Sequence, residues 1–122
     1  MTMWCRGARG ATLVTANTKK DILAATKELL NDMIASNKID MKAVACAFFT
    51  VTADLNAEFP ALAARQIGWT GVPLMCAQEV EVPNSLQSCI RILILFNTDK
   101  KPEDIVHVYI RGAEALRPEI ES

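Results

Sequence analysis

The sequence predicts an α/β (α+β) fold, a mixed sheet with helices packed outside it on one face. Three observations lead there. Apolar runs of strand length recur at VACAFFTV, VPLMCAQE, CIRILILF and VHVYIR. The stretch from Thr18 to Asn37 repeats its apolar residues at helical spacing. A shorter helical stretch lies between Pro60 and Gly68. Helices on one face leave the other uncovered. In a chain of 122 residues another subunit is the natural cover.

The elements follow in order. Residues Met3 to Val14 read as a first strand, interrupted by the glycine-rich piece RGARG. Thr18 with Asp21 three residues on marks a helix start, a hydroxyl cap followed by an acidic residue in the first turn. Ile22, Leu23, Leu29, Leu30, Met33 and Ile34, with Thr26 between them, form its apolar stripe, and the helix ends near Ser36–Asn37. Lys19, Lys20, Lys27, Glu28 and Asp32 fall on its solvated side. Val44 to Val51 is apolar enough for a central strand. FPALAARQIG carries Pro60 at the first position of a short helix and Gly68 at its far end. Val72 to Glu79 is the third strand and CIRILILF, Cys89 to Phe96, the fourth, which reads as buried on both faces. TDKKPEDI holds one helical turn, Val106 to Arg111 is the last strand, and GAEALRPEI closes the chain.

Composition narrows the function. The length fits one domain over 1–122, and 51% apolar residues allow a real core. A net charge of −1 argues against a nucleic-acid or membrane-surface protein, which shows a basic face. No apolar stretch reaches the roughly 18–20 residues of a membrane span. The N-terminus MTMWCRGARG has no signal pattern, so the cytoplasm is the expected compartment. Cys5, Cys46, Cys76 and Cys89 form no CxxC pair and read as free thiols. With His107 as the single histidine, a zinc site or a His-based nucleophilic site is not expected.

A few polar residues sit in apolar surroundings. Arg91 lies inside CIRILILF, and a guanidinium there needs an anion, because it does not lose its proton. An ion pair with Glu79, at the end of another apolar strand, and a ligand site weigh equally for it. A buried ion pair seldom outdoes an apolar pair in stability, so keeping Arg91 hints at use. Arg9 reads as a loop charge, since RGARG lacks the G-x-G-x-x-G spacing. Cys76 reads as a small core residue, Tyr109 as a half-buried aromatic with a wet hydroxyl, and Phe59 as packing at a helix start. Arg65 and Arg117 read as solvated charges. Several arginines near apolar strands, with one carboxylate and one tyrosine, would suit a small ligand bearing carboxylates.

RGARGAT, DLNAEFPALAARQIGW, VPLMCAQE, CIRI, HVYI and ALRP, in this order and at these separations, closely resemble the AroH-type chorismate mutases. The resemblance runs from about Arg6 to Pro118, nearly the whole chain. It implies conversion of chorismate to prephenate on the way to phenylalanine and tyrosine. It implies a homotrimer, a pseudo-α/β-barrel with helices outside and active sites between subunits. It implies no cofactor and no metal, because the reaction is an intramolecular Claisen rearrangement.

By that resemblance Arg91 faces the breaking ether oxygen and a carboxylate, and Glu79 and Cys76 meet the ring hydroxyl. Arg9 and Tyr109 hold the enolpyruvyl carboxylate. Phe59, Ala61, Leu74 and Met75 line the pocket. Arg65, Arg117 and Leu116 stand at its mouth. Leu62 departs from the family, which often has lysine there, and puts capture of the dianion in question more than the chemical step. The tail beyond Arg117 is short. Two rivals stand beside this reading: a RidA-like imine deaminase, whose motifs do not match, and a trimeric non-catalytic binder of small carboxylates, which would have little reason to keep Glu79.

Overall fold

The computed structural model describes residues 2–116. Its strands are β1 (Trp4–Leu13), β2 (Val44–Val51), β3 (Leu74–Gln78), β4 (Cys89–Thr98) and β5 (Val108–Ile110). The helices are α1 (Lys19–Asn37) and α2 (Ala61–Gln66). Short 3-10 turns lie at Met41–Ala43, Pro102–Asp104 and Ala113–Leu116.

The local signals act as expected at most element ends. Thr18 caps α1 through its hydroxyl, which accepts from the Asp21 N–H at 3.1 Å. The helix stops where Lys38 turns left-handed, φ 52°, and its N–H returns to Ala35 and Ile34. Asn37 is buried there. Its amide donates to Met33 O and Val106 O and accepts from the Val106 N–H, at 3.0, 2.9 and 2.7 Å. One side chain thus ties the end of α1 to the approach into β5. Pro60 stands at the cap of α2, one residue before the position expected for it.

The sheet runs β3-β2-β4-β1-β5. β4 is antiparallel to both β1 and β2, while β5 joins β1 and β3 joins β2 in parallel. The sheet is therefore mixed, as expected. Its covered face presents Ala8, Ala47, Phe49, Ile92, Ile94 and Phe96 to Leu29, Leu30 and Met33 of α1 and to Ala61 and Ala64 of α2. No helix covers the opposite face, which carries Cys46, Phe48, Met75, Leu93 and Leu95 by strand alternation.

Two expectations are corrected. RGARG does not interrupt β1, which pairs with β4 without a break from Trp4–Thr98 to Leu13–Cys89. Its glycines serve approach rather than turning. A Cβ on Gly10 would meet the Met33 sulfur and come to 3.0 Å from Leu29 Cδ1. CIRILILF is not buried on both faces in one chain. Ile90, Ile92, Ile94 and Phe96 are buried, whereas Arg91, Leu93 and Leu95 alternate onto the open face.

Gly10→Val should therefore force α1 away from the sheet. The expected cost is about 1–3 kcal/mol, the usual penalty of overpacking, read from urea unfolding. An unchanged midpoint would mean that α1 yields freely.

Candidate active site

Strand register assembles the site. Ala77, Thr50, Arg91, Ala11 and Tyr109 stand side by side on β3, β2, β4, β1 and β5. The next row holds Met75, Phe48, Leu93 and Arg9. Partners in a row point to one face, so Arg91, Arg9 and Tyr109 all rise from the open face. Glu79 follows β3 directly, its N–H donating to Val51 O at 2.9 Å. Arg9, Glu79, Arg91, Tyr109 and Leu116 thereby surround one cavity of about 290 Å³.

The cavity has a polar side and an apolar side. Glu79 Oε2 lies 3.4 Å from Arg91 Nε and also accepts from the Thr50 hydroxyl. The Arg91 side chain is 48% exposed, so the buried cation expected from sequence is instead half open to solvent in one chain. The ion pair with Glu79 is real, and both partners reach the cavity. Arg9, expected in a loop, is on a strand and exposed; its N–H donates to His107 Nδ1 at 3.0 Å. Tyr109 is more buried than expected and packs with Ala11, Cys89 and Ala113, beside Leu86 and Leu116. Burial raises the Cys89 thiol above its ordinary value, a shift that nearby Arg91 opposes.

The other expected residues gather elsewhere. Leu74 and Cys76 pair with Ala47 and Phe49 and so face the helices, while Met75 faces the open side. Phe59 and Cys76 line a second cleft of about 420 Å³ with Leu55, Pro60 and Gln78. Burial raises the Cys76 thiol, and the Ala61 N–H and the Arg65 charge counter it in part. Phe59, Ala61, Arg65 and Cys76 thus form their own group at the start of α2. Within one chain Cys76 does not share the cavity of Glu79 and Arg91. Arg117 lies outside the described residues.

Sequence reasoning missed Phe48, Thr50 and Leu93 as cavity residues. Alternation along VACAFFTV and CIRILILF could have found them, since each shares the parity of Arg91 or its strand partner. Among the described residues no cluster of His, Cys, Asp and Glu could hold a metal ion.

The family model for chorismate mutase type I matches residues 5–120. The chain belongs to that family. It is 50% identical over 118 residues to chorismate mutase AroH of Thermus thermophilus, spanning 96% of this chain and 97% of the relative. It is 40% identical over 119 residues to chorismate mutase AroH of Bacillus subtilis, spanning 97% and 94%. A solved chorismate mutase from Clostridium thermocellum superposes with a TM-score of 0.88 at 48% identity, over 89% of this chain and 97% of that one. As a chorismate mutase the chain is an isomerase of aromatic amino acid biosynthesis.

In this chorismate mutase the Arg91–Glu79 pair is part-exposed, and such pairs contribute about 0–1 kcal/mol. Glu79→Gln is expected to keep the unfolding free energy within about 1 kcal/mol of the parent in urea titration. A loss of several kcal/mol would make the pair a structural brace.

Proposed function

We propose that the enzyme converts chorismate to prephenate in clefts between three copies of the chain, with Arg91 at the breaking ether oxygen. One observation carries this: Arg9, Glu79, Arg91 and Tyr109 meet around a single cavity on the open face. The substrate is a dianion. Two guanidiniums, Arg9 and Arg91, supply the matching charge and can each grip an oxygen pair.

The rearrangement breaks the ether C–O bond as a C–C bond forms within the same molecule. It transfers no proton and needs no nucleophile. The protein has two tasks. It must hold the compact conformer in which the two carbons meet. It must also meet the charge that develops, negative toward the ether oxygen and relatively positive on the ring. Arg91 serves the oxygen. Arg9 and Tyr109 hold the enolpyruvyl carboxylate. Glu79 accepts from the ring hydroxyl and faces the ring. A cation fixed at the ether oxygen gains more from the transition state than from the ground state, so it speeds the reaction rather than only tightening binding.

The open face supports assembly. Phe59 is 70% exposed and Met75 59% in one chain, apolar surface that a neighbouring copy would cover. The group of Phe59, Ala61, Arg65 and Cys76 would then complete the cavity from the neighbour, with Arg117 and Leu116 at the mouth. Leu62, where the family often has lysine, removes one charge from that mouth. The cytoplasm is its expected compartment.

Arg91→Lys keeps the charge and loses the fork. It should lower turnover roughly 10²–10³-fold, followed as loss of chorismate absorbance, with the assembly intact. Near-normal turnover would sink the assigned role. Sedimentation velocity should give three times the 13.4 kDa chain mass. A fully active monomer would overturn the shared-cleft reading.

A further inference from the structure

Glu79 and Arg91 are far apart along the chain and 3.4 Å apart in space. Between them the chain leaves β3 and crosses the loop of residues 79–88 before entering β4. A loop of this length does not hold its ends at a set separation by itself. Something else must fix where Glu79 begins it and where β4 resumes.

Both ends are tied to the same short segment. At the first end, Glu79 N–H donates to Val51 O at 2.9 Å, and the Thr50 hydroxyl donates to the Glu79 carboxylate. At the second end, Thr52 N–H donates to Cys89 O at 3.1 Å, and Cys89 N–H donates to the Thr52 hydroxyl oxygen at 3.0 Å. The Asp54 carboxylate accepts from the Ser88 N–H at 3.0 Å and from the Ser88 hydroxyl at 2.8 Å. Ser88 needs that support, because its φ of 55° is left-handed and uncommon for a residue with a Cβ. Its carbonyl in turn accepts from the Val14 N–H at 2.8 Å, which seats it against the end of β1.

We propose that residues 50–54 form a clamp that sets the placement of Glu79 relative to Arg91, with Thr52 and Asp54 as positioning residues for the reaction. The inference rests on the assignment of Glu79 and Arg91 to the reacting centre. Thr52 and Asp54 do not line the cavity. They act through the loop end, two or three residues before Arg91. The clamp divides its labour. Thr50 and Val51 hold the anion, and Thr52 and Asp54 hold the strand that brings the cation. Charge-assisted bonds from Ser88 to Asp54 are the stronger pair in this set. Their loss would free Ser88 to leave its left-handed conformation and let the first residues of β4 shift.

The test compares Asp54→Ala, Thr52→Val and Thr52→Ser, each assayed as the assembled enzyme with chorismate, well below its unfolding midpoint. Asp54→Ala and Thr52→Val should lower kcat roughly tenfold or more, with KM changed less, because misplacement of about 1 Å can cost up to 10²-fold. Thr52→Ser keeps the hydroxyl and should recover most of that loss. Amide exchange at Ser88 and Cys89 should quicken in the two damaging variants and not in Thr52→Ser. Lower thermal midpoints with unchanged kcat and KM, or quickened exchange with full activity, would reduce the segment to a structural tie and overturn the clamp. Arg91→Ala runs beside them. If that variant keeps parental turnover, the assignment of the reacting centre fails and the clamp with it. If it loses turnover while the Asp54 and Thr52 variants do not, the clamp alone fails.

Discussion

The ladder between β1 and β4 is the constraint on which the site depends. Each strand carries one cation whose side is set by pairing alone: Arg91 opposite Ala11, and Arg9 opposite Leu93. A slip of one residue would turn one strand's side chains to the other face. Ile90, Ile92, Ile94 and Phe96 would then leave the helices, and Arg91 would enter the space of Met33 and Leu29. Burial of the four apolar side chains therefore holds the arginines outward. The charges are on the open face because the core leaves them nowhere else.

The same ladder explains what could be read from sequence and what could not. The cap at Thr18, the stripe of α1 and the run Val44 to Val51 depend on neighbours close in sequence, and they appear where expected. RGARG and CIRILILF were harder for a shared reason. Gly7 and Gly10 resemble turn residues until α1 is known to press on β1. Arg91 resembles a buried charge because Leu93 and Leu95 make the second face apolar as well. An apolar run on a face that no helix covers is ambiguous in sequence. It describes burial in an assembly as readily as burial in one chain.

Site residues divide along similar lines. Arg91 and Glu79 could be singled out as charges within apolar runs, an incongruity visible in any single sequence. Arg9, Phe59, Ala61, Arg65, Cys76 and the mouth residues rested on resemblance, since each has a plain structural reading by itself. Thr50 gave no signal. Its tie to Glu79 spans 29 positions and forms only once β2 and β3 are parallel neighbours. Asp54 gave none either, because a carboxylate in a turn is ordinary until its partner Ser88 is known to be left-handed.

Glu79 separates catalysis from capture on the proposed reading. A pocket built only to bind a dianion would gain from omitting a carboxylate 3.4 Å from its arginine. Like charges would weaken binding of the ground state. The transition state differs, since the ring becomes relatively positive while the ether oxygen becomes negative. A carboxylate on the ring side and a guanidinium on the oxygen side then favour the state in which those charges have separated. In the empty site the two neutralise each other, which lowers the cost of holding either ready. Substrate entry replaces that mutual pairing with contacts to the two ends of the breaking bond. The opposed pair is thus the feature that binding by itself would select against, and the one that the rearrangement can use.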